Sequence, residues 1–182
     1  MHSLIVGTTE SGKSTLAREI LYHWRKQKLE AIVFDPLSYT WYDAPVYPAI
    51  ETFLEKAKTV TNHLLIIDES GTSLDRYDAD HLWLATRSRH YGHSCVFISQ
   101  RANMLSPNIR HNCELLYLFG SSPKDIQLLA DDFVHPEITD MPPLEKYQFF
   151  RIRRFEAVSR RMLNPKTHST IVVQEKRKHE PV

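Results

Sequence analysis

Eight residues near the start of the chain, Gly7-Thr8-Thr9-Glu10-Ser11-Gly12-Lys13-Ser14, restrict its possible folds more than any other stretch. They fit the pattern G-x-x-x-x-G-K-[ST], in which glycines let the backbone curl until successive N–H groups point inward. Such a loop needs an extended strand leading into it and a helix leaving it. Both signals are present: Ser3–Val6 is a short apolar run, and Leu16, Ile20 and Trp24 share one helical face across residues 13–28. The curled N–H groups, the positive end of the helix dipole and the Lys13 ammonium would then converge on one polyphosphate. Lys13 would reach the β- and γ-phosphates, and Ser14 would offer its hydroxyl to Mg²⁺ with Thr15 beside it. Gly7, Thr8, Thr9, Glu10, Ser11, Gly12, Lys13, Ser14 and Thr15 are the expected nucleotide-binding residues, with ATP and Mg²⁺ as the expected ligands.

Beyond the loop, short β-branched runs alternate with longer amphipathic stretches, the pattern of a parallel sheet covered by helices. Strands are expected at 3–6, 31–35, 64–68, 94–99 and 115–119. Helices are expected at 13–28, at 75–91 with Leu82, Leu84 and Ala85 inward, and at 123–132 with Ser121 and Ser122 as cap candidates. Met141-Pro142-Pro143 reads as a break. After it, residues 147–154 alternate well enough to form a strand, paired at a sheet edge or in a hairpin with 170–173, and residues 175–182 read as a polar tail.

Two further strand ends carry polar groups. Leu64-Leu65-Ile66-Ile67 delivers Asp68 and Glu69 at the carboxyl end of a buried strand, where ligands sit in an open α/β sheet. Asp68 is the expected second Mg²⁺ residue beside Ser14, and Glu69 the expected base for an attacking water. Cys95-Val96-Phe97-Ile98-Ser99 ends in Gln100, an uncharged amide suited to sensing a γ-phosphate or holding that water. An acid at a strand end also commonly just begins a solvated loop, and Gln100 can equally cap the next turn.

These elements together with Asp35-Pro36, which closes the second strand, resemble the FtsK/HerA superfamily of P-loop motor ATPases and particularly its viral genome-packaging branch. The resemblance spans roughly residues 3–120. Arg89-His90-Tyr91-Gly92 before the Gln100 strand is similar to the family's R-x-x-G, and Ser99-Gln100-Arg101-Ala102-Asn103 and Ile109-Arg110-His111-Asn112-Cys113 keep the family's order of features. It implies a RecA-like three-layer αβα P-loop NTPase, mainly parallel, with a short C-terminal β extension. It also implies a ring, hexameric or pentameric, that hydrolyses ATP to move double-stranded DNA. An arginine from one subunit would complete its neighbour's site; Arg89 matches best, with Arg87 and Arg110 as rivals. The catalytic set so implied is Glu69, Lys13, Gln100 and Arg89. The packaging branch further implies capsid-vertex or viral membrane proteins as partners, and a location in host cytoplasm or at the packaging vertex of the virion.

Composition enters here because a net charge of +1 argues against nucleic acid. The average conceals an asymmetry: residues 1–140 carry 13 Lys/Arg against 18 Asp/Glu, whereas residues 141–182 carry 10 against 4. We therefore expect one P-loop domain over 1–182, with a core at about 1–140 and a basic extension at about 141–182. Arg151, Arg153, Arg154, Arg160 and Arg161 crowd that extension, and Lys176-Arg177-Lys178 follows; together they read as a DNA-backbone surface or as a solvated or subunit-facing one. Loops near 75–80 and 102–108 are equally placed to line a pore. The ten histidines show no ligand spacing, and Cys95 and Cys113 sit in apolar runs without paired spacing, which suits a reducing cytoplasm. Tyr39, Trp41 and Tyr42 form an aromatic loop that either packs beneath itself or stacks on adenine or a neighbour. No apolar run nears the roughly 18–20 residues that span a bilayer, so a soluble chain is expected. Two rivals remain: a small P-loop kinase acting on a nucleoside, nucleotide or other metabolite, and a nucleotide-gated scaffold. The kinase has no need of a water-activating Glu69, and the scaffold leaves Glu69 without a role.

Overall fold

The structure, a computed structural model, describes residues 1–167 and 169–175; the polar tail expected from residue 175 begins within a strand, and its residues 176–182, with the basic run Lys176-Arg177-Lys178, lie outside the described residues. In chain order the elements are β1 (Ser3–Val6), α1 (Lys13–Lys26), β2 (Ala31–Phe34), β3 (Val46–Tyr47), α2 (Ile50–Thr59), β4 (Leu64–Ile67), α3 (Ser70–Ser73), α4 (Ala79–Thr86), β5 (Ser94–Ser99), α5 (Pro107–Asn112), β6 (Leu115–Leu118), α6 (Pro123–Phe133), β7 (Gln148–Arg153), β8 (Ser159–Asn164) and β9 (Ser169–Glu175). The strands form one sheet in the order β3-β2-β4-β5-β1-β6-β7-β8-β9. From β3 to β6 neighbours are parallel, and β7, β8 and β9 continue the sheet antiparallel.

Alternation along the strands builds two cores. Leu4, Val6, Ile32, Phe34, Leu65, Ile67 and Phe97 point to the face covered by α2, α4, α5 and α6, through residues such as Phe53, Leu84, Ile109 and Leu129. Ile5, Val33, Ile66, Val96 and Ile98 point to the opposite face, where Leu16, Ala17 and Leu21 of α1 cover them. The sandwich of helix, sheet and helix follows from chain direction. The crossover from β1 to β2 passes over β5 and β4, whereas the later ones run back through β4 and β5 to β6; right-handed crossovers of opposite direction must lie on opposite faces.

Two expectations need correction. The hairpin partner of β7 is β8, and 170–173 belongs to β9, which pairs with β8 instead. The sequence Ser159-Arg160-Arg161-Met162-Leu163-Asn164 hides a strand because only Ser159 and Leu163 are buried, and the intervening Arg160, Arg161 and Met162 are partly buried without an apolar alternation. The stretch 75–91 is also not one helix. Asp78 caps α4 by accepting from the N–H groups of Asp80 and His81, and after Thr86 the chain tightens to a 3₁₀ turn at Ser88–Tyr91, where Ser88 Oγ donates to the Leu84 carbonyl at 2.6 Å. Among the described residues no helix is long and apolar enough to cross a membrane.

Candidate functional site

Parallel pairing brings the carboxyl ends of β1, β2, β4, β5 and β6 to one edge of the sheet. Val6 lies level with both Ser99 and Leu118, and Phe34 with Ile67. The loop leaving β1 is fastened between its two neighbours: the Gly7 N–H donates to the Ser99 carbonyl (3.3 Å) and the Thr8 N–H to the Gly120 carbonyl (2.9 Å). A side chain at Gly7 would place its Cβ 2.5 Å from Phe119 Cβ. At Gly12 the backbone adopts φ +117°, and a Cβ would stand 2.8 Å from Cδ1 of Tyr147. Glycine is required at both positions, the second for conformation as well as space.

Lys13 opens α1 with its side chain nearly buried, and its Nζ donates to the Thr8 carbonyl at 2.8 Å. Burial pulls its pKa below the usual lysine value, against the pull of the Glu69 and Asp68 carboxylates. Ser14 Oγ donates to Asp68 Oδ2 at 3.4 Å, and the Glu69 N–H donates to Asp68 Oδ1 at 2.9 Å. Burial pushes the Asp68 carboxyl up to about 6. Repulsion from Asp35 and Glu69 adds to that, and the Glu69 N–H and the Lys13 ammonium oppose it. Asp68 is thus a buried anion short of positive charge, next to a hydroxyl. Those two oxygens suit a hard divalent cation such as Mg²⁺, which takes carboxylate and hydroxyl oxygens.

Glu69 lies one residue further on, with φ 49° and ψ 32°. Gln100 bridges it to the phosphate loop: Gln100 Nε2 donates to Glu69 Oε1 (3.2 Å), and Gln100 Oε1 accepts from Thr9 Oγ1 (3.2 Å). Lys13, Ser14, Asp68, Glu69, Gln100 and Thr9 therefore meet in one place. Asp35 has a different job. It is buried, and its carboxylate accepts from the N–H groups of Leu37 (2.8 Å) and Tyr39 (3.2 Å) and from Trp41 Nε1 (2.8 Å). Trp41 is thereby buried under its loop with the Arg18 guanidinium over its ring, while Tyr39 faces outward.

Arg89 is not brought to this site. It sits in the turn before the amino end of β5, at the opposite edge of the sheet, where its Nη2 donates to the backbone carbonyl of Asn112 (3.3 Å). Arg110 is buried: it pairs with Asp132 at 2.5 Å and donates to the Leu105 carbonyl at 2.7 Å. Arg87 is exposed. Much of the basic extension is engaged within the chain. Arg151 and Arg153 face Glu156 (3.8 and 2.7 Å), Arg154 donates to the carbonyls of Arg110 and His111, and Arg160 donates to Gln148 Oε1 at 2.6 Å. The loops at 75–80 and 102–108 are joined by Arg76, whose guanidinium donates to the carbonyls of Asn103 and Met104.

Beside the phosphate loop runs a cleft of about 300 Å³. Glu10 and Gly12 to Thr15 form one side, and Lys146 and Tyr147 the other. Sequence reasoning did not assign the last two residues to a site. Nothing local marks them, because they reach the loop only through the pairing of β7 with β6.

No protein-family model matches the sequence, and no curated protein matches it. Solved structures match its fold. The genome packaging NTPase B204 from Sulfolobus turreted icosahedral virus 2, in complex with ATP-gammaS, superposes with a TM-score of 0.71 at 17% identity, over 97% of this chain and 96% of that one. The pCW3 conjugation coupling protein TcpA gives 0.64 at 16% identity, over 96% of this chain and 59% of that one. VirB4 of Thermoanaerobacter pseudethanolicus gives 0.64 at 10% identity, over 96% and 89%. What is shared at these identities is architecture: a mainly parallel α/β sheet flanked by helices, as in these solved structures.

Proposed function

We propose that this chain is an Mg²⁺-dependent ATP hydrolase that moves double-stranded DNA, and that its task is to load a viral genome into a preformed capsid. The observation that carries the hydrolytic part is the run of contacts from Thr9 through Gln100 to Glu69 beside Lys13. A carboxylate held at that end of the phosphate loop has the position of a general base for water. The N–H groups of Gly7 to Ser14 and the Lys13 ammonium hold the triphosphate. Glu69 takes the proton from the attacking water, and Gln100 orients the Glu69 carboxylate. Ser14 and Asp68 are the residues that would hold Mg²⁺, which when bound offsets charge on the β- and γ-phosphate oxygens.

The DNA part is supported by likeness of fold. B204 is described as a genome packaging NTPase and a DNA-packaging ATPase, and TcpA as a conjugation coupling protein. In a hexameric or pentameric ring, Arg89 serves the neighbouring subunit's site, since it lies across the sheet from its own and a head-to-tail contact joins unlike edges. Capsid-vertex or viral membrane proteins complete the assembly, in host cytoplasm or at the packaging vertex.

The test is ATP hydrolysis by the purified chain with and without duplex DNA, alongside its mass in solution. Stimulation by DNA, weakening with salt, together with an oligomer, is the expected result. Phosphate appearing on a small acceptor, from a monomer or dimer, would identify a kinase and overturn the motor.

A further inference from the structure

The hydrolytic reading turns on Asp68, Glu69 and Gln100, none of which lines the cleft beside the phosphate loop. Those three residues mark the reacting end of a bound triphosphate. That cleft is bounded by Glu10 and Gly12 to Thr15 on one side and, on the other, by Lys146 and Tyr147, which immediately precede β7. A nucleotide whose γ-phosphate faces Glu69 extends its nucleoside away from Asp68, Glu69 and Gln100, and the cleft walled by Lys146 and Tyr147 lies beside the loop to receive it. We propose that Tyr147 and Lys146 form the nucleoside subsite, with the Tyr147 ring as the platform on which the base lies and Lys146 as a cation beside it. The proposal rests on the assignment of Gly7 to Ser14 as the phosphate site.

Tyr147 is built for a fixed position. Its N–H donates to the Ser11 carbonyl (2.9 Å), and its own carbonyl accepts from the Leu163 N–H (2.9 Å), so its backbone is clamped between the phosphate loop and β8. It is held at φ +67°, a conformation that a tyrosine adopts only when its surroundings impose it. The ring lies against Gly12, where no Cβ can fit, and remains half-buried at the cleft wall. The Lys146 ammonium lies 5.5 Å from the ring centroid. An aromatic face fixed beside a cation is the chemistry that holds a nucleobase by stacking, and a platform ordered in advance loses little freedom on binding. A volume of about 300 Å³ is at the small end of the range for small-molecule sites.

The test is equilibrium binding of two probes by the full chain with Mg²⁺: a non-hydrolysable ATP analogue, and inorganic tripolyphosphate, which has no base. Tyr147→Ala should weaken the analogue by roughly 5- to 100-fold while leaving tripolyphosphate within about twofold, and Tyr147→Phe should keep both. Unchanged analogue binding in Tyr147→Ala would overturn the subsite. So would an equal loss of both probes, because Tyr147 would then only shape the phosphate loop. A wild-type chain that holds the two probes equally tightly would overturn the subsite and leave the phosphate site standing. One that binds neither would remove the phosphate site, and the subsite with it.

Discussion

Glu69 follows a buried strand and turns sharply, at φ 49° and ψ 32°, and its carboxylate meets the Gln100 amide. Glu69→Gln keeps the size of the side chain and removes its basicity. It should leave nucleotide affinity near wild type and lower turnover by about 10²- to 10⁴-fold, measured as phosphate release against analogue binding; hydrolysis close to wild type would refute the base assignment. Gly12 is constrained differently, by φ +117° together with the Tyr147 ring that a Cβ would strike. Gly12→Ala should therefore lower affinity for the analogue by about tenfold or more, read by titration, because the curled loop must open to accept it. The sequence motif announces Gly12 but gives no hint of Tyr147, which sits 135 residues away in the chain.

Among the elements, the parallel strands other than β3 were legible because each is a short, largely buried apolar run, and Ser3–Val6 and Ser94–Ser99 have the expected bounds. β3 and β8 were not legible. One is two residues long, and the other is a strand only because β7 and β9 flank it. The same scale separates the candidate arginines. Arg110 joins α5 to α6 through a buried pair with Asp132 and a bond to the Leu105 carbonyl. Arg110→Ala leaves Asp132 without that partner and should cost about 3–5 kcal/mol in a denaturant titration. Arg89→Ala, at an exposed position, should change stability by less than about 1 kcal/mol and lower turnover only where subunits assemble. If Arg110→Ala were as stable as wild type, the buried pair would not be what ties α5 to α6.

For the whole molecule, pH dependence is a property of opposed buried groups. His2 is buried at the amino edge of the sheet, where Nδ1 accepts from the Cys95 N–H at 3.1 Å, and burial pulls its pKa down to about 4. A histidine depressed from 6.5 contributes its full stability above about 6.5 and loses it as pH falls toward 4. The raised Asp68 carboxyl acts with the opposite sign over the same range, since its stability rises on acidification. The clean measurement is the difference between wild type and His2→Asn in metal-free buffer. Wild type should lose on the order of 3 kcal/mol relative to the variant between about pH 7 and pH 4. A difference that does not vary with pH would show that His2 does not titrate as a buried neutral group.

The phosphate loop, the parallel strands and the acidic pair after β4 were determined by sequence alone, because each depends on neighbours within about a dozen residues: a strand, a turn, a helix start. The tertiary structure alone decided which groups meet. It placed Gln100 between Thr9 and Glu69, sent Arg89 to the far edge, and engaged much of the basic extension within the chain, with Glu156, Gln148 and backbone carbonyls. It also carried Lys146 and Tyr147 to the cleft beside the phosphate loop. Strand order in a sheet is fixed by the packing of all its faces at once, and no local pattern in the chain encodes that sum.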